Sequence, residues 1–254
     1  MNRVKEWLPA LVVFVVVVAV WEGSISAFHI QQFLLPRPSD IVKTFWTKAG
    51  TLWPAGWYTF KEALGGFAIG CALGIAVATV IGRFKNVGTA IMPIAIAANA
   101  VPIIAFAPIF GAWFGEVSPH SKMAIAAVLC FLPVMVNTLR GLSSANPRQI
   151  ELMRSYAAGE LEIWRRVRVP TALPFVFTAL KIATVLAMIG AIVGEYFGGA
   201  FNALGVLINN DATVFDFVTA WAGILVASLL GIAFYAAVAG TERLVVRWAP
   251  DTRE

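Results

Sequence analysis

Residues 151–168 bring together three carboxylates, Glu151, Glu160 and Glu162, and four guanidiniums, Arg154, Arg165, Arg166 and Arg168. Arginine stays protonated in proteins, so the chemistry on offer there is ion pairing and contact with water or another protein, not proton transfer. Material for catalysis elsewhere is thin. Cys71 and Cys130 sit inside apolar runs without a metal-ligand spacing and read as inert core thiols. His29 and His120 stand singly beside apolar runs. No GxxxxGK[ST] run occurs, so the chain carries no recognisable nucleotide-hydrolysing site. These residues predict a protein that is not an enzyme and binds no cofactor of its own.

The elements that hold the charged stretch are set by composition. The chain has 254 residues, of which 59% are hydrophobic and 13% charged, about half the charge of a soluble domain. Its solvent is lipid, where only helices and closed barrels satisfy their own backbone groups, and continuous apolar runs favour helices. The reading is an all-α polytopic protein, a single domain over 1–254 with about six transmembrane helices near 8–28, 60–81, 89–114, 123–142, 173–193 and 217–240. The first has features of a signal peptide, with Arg3 and Lys5 before a Val-rich core and Ser24-Ile25-Ser26 beyond it. Trp21 and Glu22 favour an anchor that stays.

Thirteen of the 19 Lys and Arg residues fall in segments that share a side with the amino terminus, and five in the opposite segments. The positive-inside rule then predicts an inner (cytoplasmic) membrane protein with both termini and the 143–170 loop cytoplasmic and the 29–58 segment outside. In that outer segment, Leu34 to Asp40 reads as a rigid turn ending in a helix cap, followed by an amphipathic stretch and the interfacial Trp53 and Trp57. Residues 195–216 read as an outer loop with a short re-entrant helix.

In the charged stretch, Asn146-Pro147 is a helix start, Glu151 is expected in the first turn, and Leu152, Tyr156, Leu161, Ile163 and Trp164 supply an apolar face that needs a partner. Arg165, Arg166 and Arg168 fit either an acidic protein partner or anionic lipid. Glu22, Lys181 and Glu195 are named as the ionisable residues nearest the bilayer, each a candidate for solute contact or for simple snorkelling. Pro93, Pro102 and Pro108 invite kinks in the third span, which makes Asn99, Pro102 and nearby Phe106 candidates for lining a path. Gly66, Gly70 and Gly74 permit close helix approach, within one subunit or between two.

From Glu151 onward the chain resembles the binding-protein-dependent permease family of ABC importers, whose loop follows E-A-A-x3-G-x9-I-x-L-P. Anchored on Pro170, the spacing places Glu151 at the acid, Leu152 and Met153 at the alanines, Ala157 at the glycine, and Val167 and Val169 before the proline. The alanines are absent and glycine stands at Gly159, which predicts a bend one or two residues later than the family's. Pro102 to Pro108 with Trp113-Phe114-Gly115, Leu35-Pro36-Arg37-Pro38, and Gly194-Glu195 with Gly205 resemble further stretches of the nitrate, sulfonate and taurine subgroup, which has pyrimidine- and flavin-precursor members.

The resemblance implies a type I importer permease that moves a small polar, anionic or heterocyclic solute by alternating access. The expected partners are a dimer of ATPase subunits using ATP and Mg, an extracytoplasmic solute-binding protein, a second permease copy and membrane lipid, with no nucleic acid. It implies a coupling helix near 157–165, preceded by the Glu151 helix, with Glu151, Tyr156, Ala157, Gly159, Leu161, Trp164 and Arg165 at the ATPase contact and Trp164 as the inserted anchor. Asn99, Pro102, Phe106 and Glu195 are the expected path residues. The alternative is an ion-coupled secondary transporter, which would want paired intramembrane carboxylates; the sequence reading finds none. No metal site is expected.

Overall fold

The computed structural model describes residues 2–84 and 101–248, together with 90, 91, 93 and 97. Regular structure among the described residues is entirely helical. The elements are α1 (Asn2–Phe28), α2 (Pro38–Thr47), α3 (Ala49–Gly82), a 3-10 turn (Ile103–Phe106), α4 (Ala107–Phe114), α5 (Pro119–Ser143), α6 (Pro147–Ser155), α7 (Glu160–Ile163), a π turn (Trp164–Arg168), α8 (Val169–Tyr196), α9 (Leu204–Thr213) and α10 (Phe217–Val245).

Among the described residues, five helical stretches are long and apolar enough to cross a membrane: Leu8–Phe28, Ala49–Gly82, Pro119–Ser143, Glu160–Tyr196 and Phe217–Val245. They contain five of the six expected spans. Part of the remaining one, 89–114, lies outside the described residues, and its described end is the 3-10 turn and α4. The second span begins 11 residues before the expected 60, because Trp53 and Trp57, read as an interfacial cluster, lie within α3.

Small residues set the packing. α3 and α5 run parallel, with Gly66, Gly70 and Gly74 facing Ala126, Ala127 and Phe131 in turn. A Cβ on Gly70 would overlap the Ala127 carbonyl, so the two backbones touch only because that position lacks a side chain. The glycine stripe is therefore a seam within one chain. α8 returns antiparallel to α5: Gly190 meets Ala126, Cys130 Sγ donates to the Ala183 carbonyl at 3.3 Å, and Gly141 meets Ala172. Both cysteines are buried and free. α10 packs on α8, where Lys181 pairs with Glu242 at 2.7 Å, so Lys181 is held by another helix and needs no path to the interface.

α1 stands mostly apart, with 6% of its apolar window buried, and is tied at one end. Trp21 packs edge-on against Trp221 at 5.2 Å. Glu22 accepts from the Ser39 backbone N–H at 3.1 Å and the Ser39 hydroxyl at 2.8 Å. α2 has no cap from its own N-cap residue, Arg37. Glu22 caps it from α1, which joins two elements through one carboxylate.

Candidate functional site

The 143–170 segment folds as a helical hairpin on one end of the bundle. Asn146 caps α6 by accepting from the Arg148 N–H at 2.9 Å, and Pro147 occupies the first turn, where a missing N–H costs nothing. Glu151 falls in the second turn, not the first, which removes the expected helix-dipole role. It lines a cleft of about 400 Å³ with Gly82, Phe84, Leu142, Arg154 and Arg168.

α6 closes at Ala157, whose φ is +57°, the left-handed conformation. The Ala157 N–H donates to the Arg154 carbonyl at 2.9 Å and the Ala158 N–H to Met153 at 3.1 Å, which satisfies the helix end. The bend therefore occurs at the position where the family pattern has glycine, and the expectation of a later bend at Gly159 is corrected. Gly159 has φ −71° and only precedes α7. Hydrogen bonding of the helix end dictates the turn, and Ala157 bears its steric cost.

From Glu160 the backbone runs unbroken through the π turn into α8, a 37-residue helical stretch about 55 Å long at 1.5 Å per residue. The π turn has a local cause. Pro170 supplies no N–H, the Val169 N–H bonds back to the Trp164 carbonyl, and the Thr171 hydroxyl takes the Val167 carbonyl at 2.7 Å.

The hairpin has two unlike faces. Ile163 is buried, and the Trp164 ring reaches Gly82 of α3, where Leu139 and Leu142 of α5 also converge. Arg168 lies 5.7 Å from the Trp164 ring centroid. The expected inserted anchor is thus engaged with its own chain, because Gly82 leaves room for an indole. On the other face Leu152, Tyr156 and Leu161 are exposed, at 56%, 77% and 64%. Arg165 is also exposed, beside the exposed pairs Arg154–Glu160 at 2.8 Å and Arg166–Glu162 at 3.1 Å.

Of the expected path residues, Asn99 lies outside the described residues. Pro102 and Phe106 are exposed at the 3-10 turn, where Phe106 starts an aromatic row with Phe110, Trp113 and Phe114. Glu195 does not stand open to a path: it is 1% exposed at the end of α8. Its Oε1 accepts from the Thr59 hydroxyl at 2.7 Å and its Oε2 from the Gly205 N–H at 2.6 Å. Thr59 Oγ in turn accepts from the Leu204 N–H at 2.9 Å. A protein-enclosed carboxylate needs such donors, and Thr59 of α3 and the first turn of α9 supply one each.

The sequence reading missed two members of this cluster. Glu62 of α3 is 2% exposed, one helical turn from Thr59, the donor to Glu195, and Lys122 of α5 is 2% exposed beside Gly194 of α8. The available signal was Lys61-Glu62, a charged pair at the start of an apolar span. Paired intramembrane carboxylates are thus present, but enclosed by three helices of one chain.

At the far end of α9, Asp216 caps α10 through the Thr219 N–H at 3.1 Å and hydroxyl at 2.6 Å, and pairs with Lys48 at 3.3 Å. Burial pushes the Asp216 carboxyl up, but the hydrogen bonds from Thr219 and Lys48 and the Lys48 charge outweigh it and hold the group below its usual range. Neighbouring Asp211 is raised, by burial and by the Asp216 charge. No group of three or more His, Cys, Asp or Glu able to hold a metal occurs among the described residues.

Known proteins agree with this architecture. Residues 70–247 match the family described as binding-protein-dependent transport system inner membrane component. The chain is 36% identical to the formylaminopyrimidine transport permease protein ThiX of Halalkalibacterium halodurans, across 98% of each chain. It is 31% identical to the riboflavin transport system permease protein RibX of Chloroflexus aurantiacus, over 96% of this chain and 91% of that one. It is 28% identical to the putative aliphatic sulfonates transport permease protein SsuC of Escherichia coli, over 97% and 95%. By that family match and those relatives, and with five helices among the described residues long and apolar enough to cross a membrane, the chain belongs to the binding-protein-dependent permeases of ABC importers: a multi-pass transport subunit, not an enzyme, that works with an ATPase and a solute-binding protein.

Proposed function

We propose that the chain is one of two identical permease copies that import a small heterocyclic solute of the pyrimidine or riboflavin-precursor type. Two relatives above 30% identity are named for formylaminopyrimidine and riboflavin, and two sulfonate relatives are 25% and 28% identical. Both termini and the α6–α7 hairpin face the cytoplasm, as the Lys and Arg bias favours, and α2 and α9 lie outside. ATP and Mg are bound by the ATPase dimer, and this chain holds no cofactor.

The ATPase docks on Leu152, Tyr156, Leu161 and Arg165, while Glu151 and Arg168 line the cleft behind them. The observation that carries this reading is the unbroken helix from Glu160 to Tyr196, which joins exposed Leu161 to the membrane interior. A push on Leu161 moves α8 as a rigid body, and Trp164 against Gly82 passes the same motion to α3. The path runs between the two copies, past Pro102, Phe106 and Asn99, and lipid covers the free face of α1.

The test is reconstitution of the permease with its cognate ATPase and binding protein in liposomes. Uptake of a labelled formylaminopyrimidine or riboflavin that requires internal-facing ATPase and ATP supports the proposal. Uptake that follows an imposed proton or sodium gradient without ATP contradicts it.

A further inference from the structure

Three fully buried charged side chains meet where α3, α5 and α8 converge: Glu62, Lys122 and Glu195. Such a cluster is costly unless its charges cancel and its polar atoms are paired. Lys122 can cancel one carboxylate, and neutrality then requires one proton on the two acids. The hydrogen bonds decide where it resides. Both oxygens of Glu195 already accept, from Thr59 and from Gly205 at the positive end of α9. A proton on Glu195 would compete with those donors. Glu62 has no such donor, and its Oε2 is buried without a partner among the described residues. Glu62 follows Thr59 by one turn of α3, on the face from which Thr59 donates to Glu195.

We infer that Glu62 is a protonated carboxyl that donates to the Glu195 carboxylate, and that this pair is the positioning element that seats the first turn of α9 on α3 for transport. Glu195 receives three donors, one from each of α3's Glu62 and Thr59 and one from α9. The seat leaves no slack: a Cβ on Gly205 would stand 2.6 Å from both Glu195 Oε2 and the Ile192 carbonyl. The other ionisable groups around the pair are Tyr58 of α3, Tyr196 of α8 and Glu116, whose carbonyl accepts from Lys122 Nζ. Ser121 Oγ takes a second Lys122 bond at 3.1 Å. Because Glu195 lies at the opposite end of the continuous helix from Leu161, motion of that helix acts directly on the seat of α9. The transport consequence rests on the proposed placement of α9 at the outer face; the protonation of Glu62 does not.

The two acids have unequal roles, so their amides should behave differently. Glu62→Gln keeps a donor toward Glu195, whereas Glu195→Gln turns an NH2 group toward Thr59 or Gly205, both of which donate. Reconstituted with ATPase and binding protein, Glu62→Gln should keep uptake within about twofold, while Glu195→Gln and Glu62→Ala should lose roughly tenfold or more. Infrared spectra of the assembled complex at neutral pH should show a protonated-carboxyl C=O band that is absent from Glu62→Gln. The inference is overturned if Glu62→Gln fails to insert or assemble, if the two amides are equally impaired or equally tolerated, or if the band persists without Glu62. Loss of the band in Glu62→Gln alongside equal transport defects would retain the proton but remove its positioning role, which also defeats the inference as stated.

Discussion

Trp164 covers Gly82: the indole Cη2 lies 3.4 Å from the point where a Cβ on residue 82 would stand. The contact fixes the hairpin to α3 and leaves Leu161 and Tyr156 as its outward apolar groups. Trp164→Ala should therefore lower the stability of the permease itself by about 2 kcal/mol or more. Leu161→Ala should leave its melting temperature unchanged and weaken ATPase retention instead. Thermal unfolding and ATPase copurification, measured on both variants, separate the two roles. Equal melting temperatures for wild type and Trp164→Ala would count against the packing role.

Ala157 holds a backbone conformation that favours glycine, with φ +57°. Replacing it with Gly should stabilise the hairpin by up to about 1 kcal/mol, since an L side chain there costs roughly 1–2 kcal/mol and glycine's extra chain entropy offsets part of the gain. Gly159→Ala should be neutral, because φ is −71° and no atom lies within 4 Å of the new Cβ. Denaturation midpoints of the two variants test the assignment of the bend, and a larger loss at Gly159 than at Ala157 would contradict it.

Gly70 and Gly240 form a matched pair for the α3–α5 seam. Gly70→Val forces two backbones apart and should cost more than about 3 kcal/mol, at or beyond the range of ordinary overpacking. Gly240→Ala has open space around it and should insert and assemble normally. Yield of folded permease after detergent extraction is the measurement.

Acid should loosen the Lys48–Asp216–Thr219 clamp. The folded-state carboxyl of Asp216 lies below its ordinary value of 3.8, so its stabilisation is complete above that value and is lost as pH falls through the folded one. Asp211 has the opposite sign: its raised carboxyl binds protons more tightly in the folded state, so ionisation at neutral pH opposes folding. Asp216→Asn should thus destabilise at pH 7 and Asp211→Asn should not, with differences under about 1 kcal/mol because the Lys48 pair is partly exposed. Melting curves between pH 7 and about pH 2.5 check the two signs, the Asp211 gain appearing first and the Asp216 loss only below 3.8.

Most of the fold was legible because lipid imposes a simple rule: long apolar runs become helices. The ends were not, since α3 and α8 continue well past their apolar cores, through Trp53–Trp57 and through Glu160–Arg168. The helical start of the 143–170 segment was legible, down to the Asn146 cap. Which face each residue takes was not, and Trp164 shows why. An aromatic residue on a charged loop signals burial against something, but only the space above Gly82 says that the neighbour is its own chain. Glu195 stood out as an acid near the bilayer, whereas Glu62 fell at the start of the expected 60–81 span and became interior only when α3 proved to begin at Ala49. Pairing across 133 positions depends on tertiary packing, and no local pattern records it.

The central claim is that the ATPase engages the Tyr156–Leu161 face of the hairpin. A photoactivatable cross-linker attached to a single cysteine at Leu161 tests it most directly, in the assembled importer, with a cysteine at Ser39 as the control from the opposite end of the bundle. The account predicts a cross-link from position 161 to the ATPase and none from position 39. A Leu161→Cys permease that transports normally yet cross-links only to lipid or to its own chain would contradict it.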